Sequence, residues 1–107
     1  MRFLVMTSQG AAQPPPEALP LILPAFKDWI HDRVKAGKIE AVFSYAEGGG
    51  GCGIANVTSH EELNELLVSS PLAPFTNYEV RALADFDKAI DNGIRAVEAM
   101  AAMASAH

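Results

Sequence analysis

Apolar positions along the chain recur at two different spacings, and each change of spacing marks an element. Arg2 to Thr7 is short, apolar on both of its alternating faces and partly β-branched or aromatic, which predicts a strand covered on both sides. Ser8 to Pro16 is a polar connection rich in Gly and Pro. From Glu17 to Ala36 the period lengthens. Leu19, Ile22, Leu23, Phe26, Trp29, Ile30 and Val34 recur at three- and four-residue spacing, which is one face of a helix. Lys27, Asp28, Asp32 and Lys35 fill the opposite face. Pro20 and Pro24 each remove a backbone donor, so the first turns are expected to be irregular and the regular helix to begin near Pro24. Gly37 comes next as a natural residue for leaving the helix.

Ile39 to Ala46 alternates as a strand, with Ile39, Ala41, Phe43 and Tyr45 on one side and Glu40, Val42 and Ser44 on the other. The run Gly48 to Gly51, Cys52, Gly53 then leads into a strand from Ile54 to Val57, which predicts a hairpin turning through glycines. Thr58-Ser59-His60-Glu61-Glu62 reads as a helix start, with either Thr58 and Glu61 or Ser59 and Glu62 forming the capping box. Leu63, Leu66 and Leu67 are its buried stripe, and Pro71 stops it. Asn77 to Leu83 is a fourth strand. Asp85 or Asp87 caps a last helix with Ile90, Ile94, Val97 and Ala101 on one face, fraying into Ser105-Ala106-His107. The order β-α-β-β-α-β plus a final helix predicts an α+β, ferredoxin-like fold: a four-stranded antiparallel sheet with two helices on one face. One domain is expected, with a core over about 1–84 and a C-terminal helical extension over about 85–105. The bare face of the sheet and the stripe of the last helix both need cover, which a second copy of the chain supplies most simply, so a homodimer or higher homo-oligomer is expected.

Composition narrows the function. Of 107 residues half are apolar and one fifth charged, the mix of a globular chain. A formal charge of −5 argues against nucleic acid or an anionic membrane as partner. Cys52 is the single cysteine, so there is neither a disulfide framework nor a cysteine zinc site, and a reducing cytoplasm fits. No apolar run reaches the roughly 18 residues of a membrane span. The opening Met1 to Thr7 is too short for a secretory signal.

The stretch Asn56-Val57-Thr58-Ser59-His60-Glu61-Glu62-Leu63-Asn64-Glu65-Leu66-Leu67-Val68-Ser69-Ser70-Pro71-Leu72-Ala73-Pro74-Phe75 resembles the muconolactone delta-isomerase family, whose members carry a Ser-x-x-Glu-Leu-x-x-Leu helix followed by a Pro-Leu-x-Pro-aromatic turn. Met1 to Val5, Lys27 to Val57 and Glu79-Val80 to Leu83 continue the likeness, so about the first 85 residues are covered. The resemblance implies a ferredoxin-like fold, dimers built through the sheets, and proton transfer on an unsaturated lactone acid without metal or organic cofactor. The chain also departs from the pattern. Phe26 stands where family enzymes carry an acid before the helical lysine, here Lys27. Glu40, Ala41, Phe43 and Ser44 replace a strand rich in Arg, His and Trp, and Gly49, Gly50 and Gly51 replace a Tyr-Ala-Asn segment.

Such a reaction needs a base for a carbon-bound proton and a donor for the enolate-like charge. Glu40, Glu47, His31 and His60 are the candidate bases, each equally readable as a surface or boundary residue; His107 is terminal and is set aside. The favoured catalytic pair is His31 and Tyr45, a neutral imidazole to accept the proton and a phenol to donate. Phe26, Trp29 and Phe43, at core spacing, are the expected apolar walls of a substrate pocket. Cys52 reads as a small buried residue. The glycine run matches neither a dinucleotide fingerprint nor a phosphate loop, because a strand comes after it. Three functions remain in contention: a lactone isomerase, a noncatalytic dimeric module that binds a small molecule or serves as an accessory, and, by fold analogy alone, a cofactor-free oxygenase or cyclase.

Overall fold

A computed structural model describes residues 1–106. Its elements run β1 (Arg2–Gln9), a 3-10 turn (Pro16–Ala18), α1 (Leu19–Lys35), β2 (Ile39–Ser44), β3 (Gly51–Asn56), α2 (His60–Val68), a second 3-10 turn (Ala73–Phe75), β4 (Thr76–Leu83) and α3 (Phe86–Ser105). The four strands form one antiparallel sheet in the order β2-β3-β1-β4. The expected α+β, ferredoxin-like architecture is the one observed.

β1 holds the centre. Its Phe3 and Val5 stand opposite Ala55 and Gly53 on one side and Ala82 and Val80 on the other. Phe3 and Val5 form the buried core with Ile39, Ala55, Val57, Leu63 and Leu66, and Trp29, Ile30, Leu67 and Tyr78 pack against it. The amino terminus is tied to Val57, whose carbonyl accepts a 2.7 Å bond from the Met1 ammonium.

Two local expectations are corrected. The regular helix α1 begins at Leu19, ahead of Pro24, with a 3-10 turn leading into it. Pro20 sits in the first turn, where a backbone N–H has no helical partner to lose. Pro24 is inside the helix and forfeits one bond near its start, where the helix tolerates the loss. In β2 the simple alternation fails because Ile39 pairs with Ala55 and Ala41 with Ile54, its immediate neighbour. The extra residue is a bulge, which turns the rest of the strand to the opposite face. Ile39 is therefore buried, whereas Phe43 is 67 % exposed. The hairpin also turns earlier than expected: β3 starts at Gly51, so part of the glycine run belongs to the strand.

The start of α2 resolves the two capping alternatives. Ser59 is the N-cap and its hydroxyl accepts a 3.1 Å bond from the Glu62 amide. The Glu62 carboxylate reaches back one residue further than in the usual box, accepting from the Thr58 amide at 2.9 Å, and also pairs with the Lys38 ammonium. Asp85 rather than Asp87 caps α3, accepting from the Lys88 amide at 3.1 Å. α3 then leaves the sheet: all of its residues are exposed. The radius of gyration is 19.3 Å, against about 13 Å for a compact chain of this length.

The Lys38 ion pair, with the Thr58 hydrogen bonds, holds the Glu62 carboxyl at about 2 against an ordinary 4.5. Between those values the unfolded chain binds the proton that the folded chain does not. The Glu62 contribution is complete above about pH 4.5 and is lost as the pH falls towards about 2. Denaturant titrations across that window should show an acid slope that Glu62→Gln reduces. Ser59→Ala should cost about 1 kcal/mol at neutral pH through the lost cap, with a matching fall in the urea midpoint.

Candidate functional site

α1 does not lie flush on the sheet. None of its residues is buried, although Phe26, Trp29 and Ile30 turn inward. The space beneath it is a cavity of about 370 Å³, walled by Phe26, Trp29 and Ile30 from α1, Val42 from β2 and Tyr78 from β4, with Phe43 at its border. Its floor includes the backbone of Gly49, Gly50, Gly51 and Gly53.

Gly50, Gly51 and Gly53 are required by a close approach of backbones. A β-carbon on Gly50 would stand 2.1 Å from the Thr7 carbonyl oxygen, and one on Gly51 would stand 2.3 Å from that of Phe43. Gly50 also has φ +150, outside the range that side chains favour. The Thr7 hydroxyl accepts from the Gly51 amide at 2.9 Å and makes a 3.1 Å bond to its carbonyl. The chain can close against β1 and β2 here only because it carries no side chain, and the same bareness leaves the cavity open.

The walls are held from two sides. The Phe26 and Trp29 rings stack with centroids 6.3 Å apart, and the Arg33 guanidinium covers Trp29 at 5.3 Å. The Trp29 indole N–H donates to the Ser69 hydroxyl at 3.2 Å, and that hydroxyl donates to the Leu66 carbonyl at 2.9 Å. This chain of bonds ties α1 to the end of α2. Across the cavity the Tyr78 phenol donates to the Leu67 carbonyl at 3.1 Å. Burial pushes the phenol above its ordinary value of 10.0, with the Ser70 side chain acting in the opposite direction. Thr7, Gln9, Ser44, Ser70 and Thr76 supply the other polar groups, while Cys52, paired with Met6, turns its thiol to the outer face of the sheet.

Among the described residues no Asp, Glu, His, Lys or Arg lines the cavity. Each candidate base lies elsewhere. His31 is exposed on α1, Glu47 is exposed in the turn after β2, and Glu40 pairs with Arg2 across 2.9 Å. His60 packs edge-on against Phe3 at 5.7 Å. Tyr45 falls just beyond β2, where its amide and carbonyl close the hairpin through Gly50 and Gly48. Of the expected walls, Phe26 and Trp29 face the cavity together and Phe43 only borders it, its ring turned outward by the bulge, whereas His31 and Tyr45 are not brought into it. The β2 bulge and early turn explain Tyr45, and the helical phase of α1 explains His31, which lies two residues after Trp29. Tyr78 was missed, although its alternation with Val80 and Ala82 in the fourth strand places it on the same face as the core.

An α+β chain with an apolar, uncharged chamber between its first helix and its sheet is the class this geometry defines. The family model for muconolactone delta-isomerase matches residues 1–89, and the chain belongs to that family. No curated protein matches it. Among solved structures it is similar to a muconolactone isomerase, at 21% identity and a TM-score of 0.71, covering 79% of this chain and 90% of that one. It is also similar to 5-chloro-2-hydroxyhydroquinone dehydrochlorinase from Burkholderia phenoliruptrix AC1100 in complex with 2,5-dihydroxybenzoquinone, at 14% identity and a TM-score of 0.58, covering 82% and 98%. At these identities the likenesses establish the shared fold. The family match ends within the first turns of α3.

Tyr78→Phe removes a half-buried donor whose partner is a backbone carbonyl, and should cost about 1 kcal/mol in urea denaturation. In an ultraviolet alkaline titration, the same variant should lack a phenol that ionises above the ordinary tyrosine value.

Proposed function

We propose that the chain binds a small, uncharged and largely apolar molecule between α1 and the sheet, and that its own cavity does not supply the base for a lactone isomerisation. That none of the described residues brings a carboxylate, imidazole, ammonium or guanidinium to the lining carries this reading. A proton-transfer enzyme needs a group able to take a carbon-bound proton near neutral pH. A carboxylate ligand needs a cation or several aimed donors to offset its desolvation. The Phe26 and Trp29 stack offers a flat apolar wall, and the Tyr78, Ser70 and Thr76 hydroxyls offer polar contacts for a carbonyl or hydroxyl. A volume of about 370 Å³ suits a ligand of one or two rings. The reading requires neither metal nor organic cofactor.

Family membership favours a second reading, in which a small unsaturated acid or lactone is isomerised by cofactor-free proton transfer. Since none of the candidate bases of this chain reaches its own cavity, the base would then come from a neighbouring copy. For either reading the setting we propose is a cytoplasmic homodimer or higher assembly, whose unit is one domain over about 1–84 with α3 as its extension. The half-buried Leu4 and Met6 on the outer face of β1 support the assembly, and the single cysteine supports the compartment. None of the helices is long and apolar enough to cross a membrane among the described residues.

Trp29 is the only tryptophan and stands in the cavity wall, so its fluorescence reports occupancy directly. Titration with the methyl ester of muconolactone should give a saturable change, with the free acid binding at least tenfold more weakly. Phe26→Ala should weaken the ester by roughly tenfold, the equivalent of losing part of one aromatic contact. Equal or tighter binding of the acid would overturn the uncharged-ligand reading. Turnover of the acid by the purified protein would establish the isomerase instead.

A further inference from the structure

α3 has an apolar face that nothing in its own chain covers. Phe86, Ile90, Ile94, Val97, Met100 and Met103 are all at least 48% exposed. They share one half of the helix with Ala89, Gly93, Ala96, Ala101 and Ala104, while Asp87, Lys88, Asp91, Arg95 and Glu98 occupy the other half. α3 is 20 residues long, and a helix in a protein draws most of its stability from packing its apolar face, which α3 lacks within one chain. Gly93 weakens it further, since glycine in a helix interior is less favourable than alanine. Nothing lies within 4 Å of where a Gly93 β-carbon would be. Within one chain the glycine is unexplained.

We infer that α3 pairs with α3 of a second copy, antiparallel about a two-fold axis at Gly93. The spacing supports this partner. Phe86 and Met100 lie one heptad to either side of Gly93, the repeat that keeps a seam facing a partner helix. Reversing one helix about Gly93 places Phe86 against Met100 at the two ends and, between them, sets Ile90 against Ala96 and Val97 against Ala89, so these two branched side chains each meet a small one. The two glycines meet at the crossing, where the hollow beside Ile90, Ile94 and Val97 admits the facing helix. A parallel pair would instead stack Phe86 on Phe86 and Ile90 on Ile90. It would also start both helices at the same end, crowding the bodies of two chains, each 29 and 26 Å across its shorter axes, onto helices about 8–10 Å apart. The antiparallel pair sends the bodies to opposite ends.

The area is sufficient. Six large side chains with on the order of 100 Å² each still open would bury about 1,200 Å² across a symmetric pair, the lower end of the range for stable interfaces. No charge is buried, because the charged residues lie on the far side. From Ile90 onward the interface lies beyond the family match, and it is independent of what fills the cavity.

The test uses the full chain. In sedimentation velocity, Ile90→Glu with Val97→Glu should halve the mass of the assembly, while ligand-induced change in Trp29 fluorescence persists. Because those charges also weaken an isolated helix, Gly93→Leu is the decisive variant: leucine favours the helix but blocks the crossing. It should keep the far-ultraviolet helical signal and still lose the assembly step. An unchanged mass in Gly93→Leu would overturn the pairing. Direction is read by oxidative cross-linking in a Cys52→Ser background. Phe86→Cys and Met100→Cys should link to each other when mixed and fail to link alone. Phe86→Cys linking efficiently to itself would overturn the antiparallel arrangement.

Discussion

The structure turns on a stretch of backbone that has no room for a β-carbon. At Gly50, Gly51 and Gly53 the chain passes so close to the carbonyls of Thr7, Phe43 and Ala41 that a β-carbon at any of the three would collide with a neighbouring strand. This approach lets β3 bridge β1 and β2 in the middle of the sheet. It also strips side chains from the region beneath α1. The cavity is therefore a consequence of how the sheet is closed and needs no displacement of the core, which stays packed around Phe3, Val5, Ala55 and Val57.

The same stretch shapes the chemistry. Where the resemblance to the isomerase family leads one to expect polar and aromatic groups, this chain contributes bare peptide, and the remaining wall positions are aliphatic, aromatic or hydroxyl-bearing. The charged residues are placed on the outside, in the Arg2–Glu40 pair, in the Lys38–Glu62 pair beside the cap of α2, and along the outer half of α3. A chamber with hydroxyls and no fixed charge discriminates by shape and by hydrogen bonding, because any charge brought into it loses water without gaining a counter-ion.

At the other end of the chain the logic is one of incompleteness. The body satisfies itself: among the described residues every buried side-chain nitrogen or oxygen has a hydrogen-bond partner. α3 does not, since its apolar half meets only solvent within one chain. Two different demands thus sit in one short sequence, a hollow that admits a ligand and a ridge that calls for another protein surface.

Element order and most element limits were legible in the residues because they depend on local periodicity and on caps: the stripe of α2, the Ser59 cap and the alternation of β1 and β4 needed no tertiary information. The walls Phe26 and Trp29 were legible for the same reason, being neighbours on one helical face. What sequence periodicity could not reveal was anything set by contact between strands. The bulge after Ile39 changed which face of β2 points inward, and the early turn left Tyr45 in the hairpin rather than the chamber. Whether His31 faced the sheet depended on the rotation of α1 against it, a property of packing and not of the helix alone. The glycine run resembled a flexible loop in sequence, and only the neighbouring carbonyls made it a steric necessity. Periodicity is local and survives in one dimension; the facing of a strand after a bulge, and the room beside a backbone, exist only once the strands have met.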